Sequence, residues 1–376
     1  MSKKALSRAF MIVAGTIIIM AATMIIINSP TRAAVPSDQE KTVEQVKQNI
    51  QVLKGMPESQ LSPVMNYIAS SLGVQCNHCH VIDSTGWYMD KDDKKTKGTA
   101  RRMMQMVMDL NRNSFGGRTA VSCYTCHRGS TEPVKLISLP PPAANPEREA
   151  TELNASLLSP EQVLASYETA LGGADAMKKI TSRVTKGVSV DMQGREIPLE
   201  IVQEQSGKYL SAMTMREDMM STRAFDGKTG WMSSPRGTRE LPPKMSEEIK
   251  KEASLFPLAE LRGLFNTLHT QETTSIENTK TNVLASSVSA HETAHYYFDA
   301  SSGLLLRKVV ITETMVGNIP EQTDYSDYRT VDGVKVPFMV KNASVDSRGN
   351  FTHKFSSIEQ NVAVDEKRFE MPPAKK

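Results

Sequence analysis

Two short strings hold all four cysteines of the chain, Cys76-Asn77-His78-Cys79-His80 and Cys123-Tyr124-Thr125-Cys126-His127. Two thiols three positions apart, with a histidine directly after the second, are what covalent attachment of a c-type haem requires. The thiols add to the vinyl groups as thioethers, and the imidazole lies beneath the iron. Two other chemistries use the same residue types. One zinc ion could take all four thiols, but 43 residues separate Cys79 from Cys123, and each pair carries a histidine that an all-thiolate site does not need. Redox disulfides are the other alternative in an oxidising compartment. Repetition of the whole string, with no cysteine left over, favours two covalently bound haem c groups. Cys76, Cys79, Cys123 and Cys126 are then the attachment points, and His80 and His127 the iron ligands.

The sixth iron position needs a further donor. Met65 precedes Cys76 by 11 residues, and Met103 precedes Cys123 by 20, within a cluster that includes Met104, Met106 and Met108. Methionine on a helix is usually soft core packing. Here each methionine-bearing stretch stands just upstream of a haem motif, and thioether ligation raises the potential relative to bis-histidine ligation. Met65 is assigned to the first iron and Met103 to the second, with Met104 or Met106 as alternatives. His78, inside the first motif, reads as exposed rather than ligating.

These residues need helices to place them. Val43, Val46, Ile50 and Leu53 recur at helical spacing up to Gly55. Ser62-Pro63 reads as N-cap and first helical position of a helix with Met65, Ile68, Ala69 and Leu72 on one stripe, ended by Gly73. A further helix is expected from about 98 to 113, ended by Gly116-Gly117. Residues 91–118 carry eight Lys or Arg against three Asp. That stretch is either a docking patch for an acidic redox partner or a solvated face. Arg101 and Arg102 are candidates for contacts with haem propionates.

The stretches Met65-Asn66-Tyr67-Ile68, Ser71-Leu72-Gly73-Val74-Gln75-Cys76, Ala100-Arg101-Arg102-Met103-Met104-Gln105-Met106 and Cys123-Tyr124-Thr125-Cys126-His127-Arg128-Gly129 resemble the cytochrome subunit of photosynthetic reaction centres. The resemblance covers about residues 42–138. It implies a repeated helix, turn and haem motif, with axial roles for Met65, His80, Met103 and His127. That family carries four haems in two pairs, whereas this chain has one pair, so electron flow outside photosynthesis is the expectation.

Beyond the proline-rich stretch 139–154, read as a linker, the pattern changes. Ser159-Pro160-Glu161-Gln162 is a capping box opening a helix that ends at Gly172-Gly173. Alternating segments then predict strands near 186–193, 196–204, 207–215, 219–225, 281–288, 291–299, 304–314, 321–330, 334–344 and 350–360, with a helical insert over about 243–268. His291-Glu292-Thr293-Ala294-His295 matches a zinc-protease string. Its surroundings read as strand, where positions i and i+4 stand about 13 Å apart and cannot share a metal. In pattern, residues 155–372 resemble periplasmic outer-membrane lipoprotein carriers, chiefly at Phe225-Asp226-Gly227 with Gly230-Trp231 and at Tyr297-Phe298-Asp299 with Gly303-Leu304. That resemblance implies an acyl or lipid ligand; a docking module is the alternative.

Composition sets the remaining bounds. Charged residues at 23% and apolar ones at 39% suit folded protein, and a net charge of +3 gives no footprint for nucleic acid. Lys3, Lys4 and Arg8 precede an apolar run from Ala9 to Ile27, and Thr31-Arg32-Ala33-Ala34 offers a cleavage site. Residues 1–34 therefore read as a signal peptide or an N-terminal membrane anchor, with the rest exported.

The expected fold is multidomain α + β. A small all-α dihaem cytochrome domain (42–138) and a linker (139–154) precede a curved, half-barrel-like antiparallel sheet with packed helices (155–372). The expected function is single-electron transfer between redox protein partners, with no catalytic residues and no nucleic acid. Alternatives are a dihaem peroxidase-like enzyme and a lipid or lipoprotein carrier with accessory haems.

Overall fold

The structure, a computed structural model, describes residues 40–133, 157–216, 219–346 and 349–372. The expected leader (1–34) and linker (139–154) lie outside the described residues. Among the described residues, no helix is long and apolar enough to cross a membrane.

The haem-motif region contains α1 (Val43–Val46), α2 (Leu61–Leu72), a hairpin of β1 (Val81–Asp83) and β2 (Gly86–Tyr88), α3 (Lys95–Ser114) and α4 (Cys123–His127). The segment expected to be all-α thus also carries a small sheet. The long helix expected up to Leu53 is only one turn. Asn49 and Leu53 take positive φ of 57° and 65° there, so the chain loops back and the Val43 amide donates to the Met56 carbonyl at 2.9 Å. The apolar spacing recorded burial rather than helix, since Val43, Leu53 and Met56 all end in one cluster.

In the second region, α5 (Pro160–Leu171) and α6 (Ala174–Lys178) lead into β3 (Ser182–Asp191), β4 (Glu196–Glu204), β5 (Tyr209–Arg216), β6 (Met219–Phe225), β7 (Gly230–Ser234) and β8 (Gly237–Glu240). The helices α7 (Pro243–Glu252) and α8 (Pro257–Gly263) follow. The chain then returns through β9 (His269–Ile276), β10 (Thr279–Ser289), β11 (Glu292–Asp299), β12 (Leu305–Thr314), β13 (Gly317–Val331), β14 (Val334–Ser344) and β15 (Phe351–Gln360). These 13 strands form one antiparallel sheet in the order β8-β7-β6-β5-β4-β3-β15-β14-β13-β12-β11-β10-β9. Two hairpin meanders are joined where β3 pairs with β15. The sequence reading lacked β7, β8 and β9. The first two are short, and β9 (His-Thr-Gln-Glu-Thr-Thr-Ser-Ile) is an edge strand with almost no apolar alternation.

The capping box of α5 is present: the Ser159 amide donates to Gln162 Oε1 at 2.8 Å, and the Gln162 amide donates to Ser159 Oγ at 3.3 Å. Val163, Leu164, Tyr167 and Leu171 of α5 then pack with Leu258 and Leu261 of α8 against Leu284, Tyr296, Phe298, Leu305, Val336 and Phe338 of the sheet. Each such side chain contributes about 1.5–3 kcal/mol on burial.

His353 on β15 lies stacked on Phe351, with ring centroids 4.1 Å apart, and its buried Nδ1 has no hydrogen-bond partner. Burial, helped by the charge of Arg223, pushes it down to about 4 from the ordinary 6.5. The fold therefore favours the neutral ring. Its contribution is complete above about pH 6.5 and is lost as pH falls toward 4. Between pH 7 and 5 the protein is expected to lose on the order of 1–2 kcal/mol through this group. His353→Leu should flatten that part of the denaturation-midpoint profile, whereas an unchanged profile would assign the pH response elsewhere.

Candidate functional site

Each cysteine motif folds as a single turn. In α4, Cys123 and Cys126 are three positions apart and so share a face. The Ser122 amide donates to Thr125 Oγ1 at 3.0 Å, and Arg128 ends the turn with a φ of 48°. In the first motif, Cys76–His78 form a 3-10 turn. The Cys79 and His80 amides both donate to the Cys76 carbonyl, at 3.3 and 3.0 Å. All four thiols are unbridged, and burial pushes those of Cys79 and Cys123 up, holding them as protonated thiols.

The two histidines are oriented alike. His80 Nδ1 donates to the Met89 carbonyl at 3.2 Å, and His127 Nδ1 to the Ser130 carbonyl at 2.9 Å. A carbonyl oxygen only accepts, so Nδ1 carries the proton and Nε2 presents its lone pair, as an iron-ligating imidazole requires. Burial, reinforced by the charges of Lys97 and Arg101, holds His80 below its usual range and therefore neutral. Among the described residues, no group of three His, Cys, Asp or Glu could hold a metal ion. That disfavours a zinc site for the four thiols. It equally disfavours one at His291 and His295, where Glu292–Asp299 is strand. The residues present therefore fit covalent haem: paired thiols on one turn, followed by an imidazole with a free Nε2.

Met65 lies half-buried on α2, packed against the apolar cluster that contains Val64, Tyr67, Ile68, Met104 and Cys123. On α3 the three candidate methionines separate. Met104 is 8% exposed in that cluster, whereas Met103 and Met106 are 38% and 50% exposed on the adjoining face. His78 is half-buried rather than exposed, and its carbonyl accepts from Thr96 Oγ1.

The basic stretch is partly committed inward. Arg101 binds Asp92 at 2.9 Å and donates to the Asn49 carbonyl at 3.0 Å. Lys97, only 8% exposed, donates to the Met89 and Lys91 carbonyls at 2.8 Å and pairs with Asp92 at 3.0 Å. Arg101, aided by Asn49 and Lys97, holds the Asp92 carboxyl far below the usual carboxylate range. Arg102 is exposed and donates to Thr99 Oγ1 at 3.0 Å. Sequence reasoning missed Asn111, 6% exposed on α3. Its Oδ1 accepts from the Ala120 and Val121 amides and its Nδ2 donates to the Val121 carbonyl, which ties the loop before Cys123 to the helix. An amide side chain in line with Met104 and Val107 on the buried face was the available signal.

The structure brings the two motifs together through α2. Gly73 caps that helix with a φ of 65°, and the Gly129 amide, just past the second motif, donates to the Ser71 carbonyl at 2.8 Å. A Cβ at Gly73 would stand 2.2 Å from the Gly129 carbonyl oxygen. Gly73→Ala is expected to cost roughly 2 kcal/mol or more, from the left-handed backbone plus a clash with main chain. Thermal melting followed in the haem absorbance checks this, and an unshifted midpoint would show that the two motifs tolerate separation.

Residues 15–180 match the family model of the photosynthetic reaction centre cytochrome C subunit. The reaction centre cytochrome c subunit of Roseobacter denitrificans is 29% identical over 149 residues, covering 36% of this chain and 40% of that one. Its counterpart in Thermochromatium tepidum is 32% identical over 111 residues, or 28% and 26% of the two chains. Cytochrome c-554 of Chloroflexus aurantiacus is 34% identical over 89 residues, or 22% and 20%. The chain thus spans less than half the length of these relatives. Among solved structures, a LolA superfamily protein from Nitrosomonas europaea aligns at TM-score 0.40 and 10% identity, over 57% of this chain and 98% of that one. A lipoprotein-sorting protein domain from Vibrio parahaemolyticus aligns at 0.39 and 10%, over 56% and 93%. Both cysteine turns lie within residues 15–180, and over that stretch the chain is similar to the cytochrome c subunit of photosynthetic reaction centres.

Proposed function

We propose that the protein is an exported dihaem c-type cytochrome that passes single electrons between protein partners. The observation that carries this reading is the matched pair of turns, each presenting two thiols and a histidine whose Nδ1 is already occupied by a carbonyl. Cys76 and Cys79 would hold the first haem and Cys123 and Cys126 the second, with His80 and His127 as iron ligands. Met65 would supply a further ligand to the first iron. Met103 would serve the second, with Met106 as the alternative, because both are exposed on α3 while Met104 is enclosed in the apolar cluster. When bound, each haem supplies a reversible one-electron change at iron. The chain's part is attachment, orientation of the ligands and exclusion of water.

The large sheet is assigned to docking. Val163, Tyr167, Leu258 and Leu261 of the helices cover one face of it and leave the other for a partner. The leader segment, cleaved or retained, would place the protein outside the cytoplasm.

The test is a pyridine haemochrome count and a near-infrared spectrum of protein made with the cytochrome c maturation machinery. Two low-spin haems with methionine-to-iron charge transfer are expected. A high-spin component would leave one iron open and favour the peroxidase alternative, and lipid extracted with the purified protein would favour a carrier.

A further inference from the structure

The turn joining β12 to β13 contradicts its position. Hairpin turns normally lie at the surface. Here Thr314 pairs with Gly317 across a two-residue turn in which Met315 is 39% exposed but Val316 is 0% exposed. Val316 and Ile319, the latter 3% exposed, belong to the same apolar cluster as Val64, Tyr67, Ile68, Met104 and Cys123 of the haem-motif region. The turn is itself held rigid, because Thr314 Oγ1, buried, donates to the Gly317 carbonyl at 2.6 Å. A tip of the sheet is therefore a component of the core that holds Cys123 and the helix leading into Cys76.

The contact converges on Tyr67. A Cβ on Gly317 would stand 2.7 Å from the Tyr67 ring, so this hairpin is seated against the ring with no room for a side chain. Tyr67 Oη, itself 2.9 Å from that Cβ position, donates to Ser122 Oγ at 2.7 Å, and Ser122 is the N-cap of the second cysteine turn. Tyr67 also belongs to α2, the helix that carries Met65 and leads into Cys76. Three further bonds lock the same junction. Asn66 Nδ2 donates to Asp346 Oδ2 at 3.0 Å, Ser70 Oγ donates to the Val345 carbonyl, and Thr119 Oγ1 donates to Glu313 Oε1 at 3.2 Å.

We propose that Tyr67 is a positioning residue for both haem sites, and that the β12–β13 hairpin sets it. This rests on the dihaem reading above and adds a role for the sheet: it fixes the rotation of the helix bearing Met65 and the cap of the turn bearing Cys123. Displacement of the hairpin moves both sites, because one ring connects them. A partner engaging the sheet has a mechanical route to the haem potentials through this contact.

The test uses the full chain with its haems attached. Tyr67→Phe keeps the ring and removes only the hydroxyl; Gly317→Ala pushes a methyl group into the ring. Both variants are expected to retain two haems. Tyr67→Phe should shift the reduction equilibrium of the second haem about tenfold, roughly 59 mV for a one-electron couple. Gly317→Ala should shift both haems and weaken the methionine charge-transfer band. Combined with Tyr67→Phe, its effect on the second haem should shrink, because the link to Ser122 is cut. If both single variants keep two haems with midpoints within twofold of the parent, the proposal is overturned. If Gly317→Ala does not accumulate, Tyr67→Phe alone decides, since it leaves the packing intact. A parent protein without two haems would instead overturn the dihaem reading, so the two failures are distinguishable.

Discussion

Serine at both Cys123 and Cys126 is expected to leave one haem per chain in place of the proposed two. The pyridine haemochrome absorbance per chain should halve, and the intact mass should fall by one haem. Serine at Cys76 and Cys79 should give the complementary single-haem protein, so that the two midpoints are measured separately. The prediction rests on the geometry of the turns: the thiols are unbridged, and each pair stands next to a histidine with a free Nε2. Serine offers no sulfur for a thioether, and a non-covalent haem held by His127 and one methionine would wash out. Retention of two covalent haems in the Cys123/Cys126 variant would show that the second turn is not an attachment site. The Cys123/Cys126 variant is expected to be the less stable of the two, because Cys123 is buried in the shared core whereas Cys76 and Cys79 are half-buried.

Phe298→Ala is expected to destabilise the protein by about 3–5 kcal/mol, as for other buried aromatic truncations. Phe298 is 1% exposed on β11 and meets the Tyr167 ring of α5 edge to face, with centroids 5.2 Å apart. The more informative result concerns the haem-motif region, which shares Val316 and Ile319 with the sheet. If that shared core makes the two regions one cooperative unit, melting followed in the far ultraviolet and in the haem Soret band should fall together. A Soret transition that stays at its parent temperature while the sheet melts early would show that the regions fold independently, and would remove the mechanical basis for Tyr67 as a link. The same variant should leave the haem count at two, because attachment depends on the local turns rather than on β11.

Structure that is local in sequence was legible in sequence. The two cysteine strings, their histidines and the upstream methionines lie within short spans, and a turn or helix of known pitch relates them without knowledge of the rest of the fold. The capping box at Ser159 and most of the strand series were legible for the same reason: side-chain period and turn chemistry are properties of a few consecutive residues. Glu292 to His295 are strand as expected, with His291 in the turn before it, and Tyr296 and Phe298 alternate with half-buried neighbours along β11.

Only the tertiary structure decided what packs on what. The one-turn α1 in place of a long helix follows from positive φ at Asn49 and Leu53, where burial of Leu53 and Met56 outweighs helical propensity. The inward commitment of Lys97 and Arg101 depends on Asp92 and on carbonyls that a loop folds back to meet them. Met103 and Met104 are adjacent in sequence and chemically identical, yet one is exposed and the other enclosed, because consecutive helical positions point about 100° apart. Val316 and Gly317 look like an ordinary hairpin turn, and their contact with Tyr67 spans some 250 residues of chain. No local pattern encodes such a contact, because its free energy comes from apolar surfaces that meet only after both regions have folded.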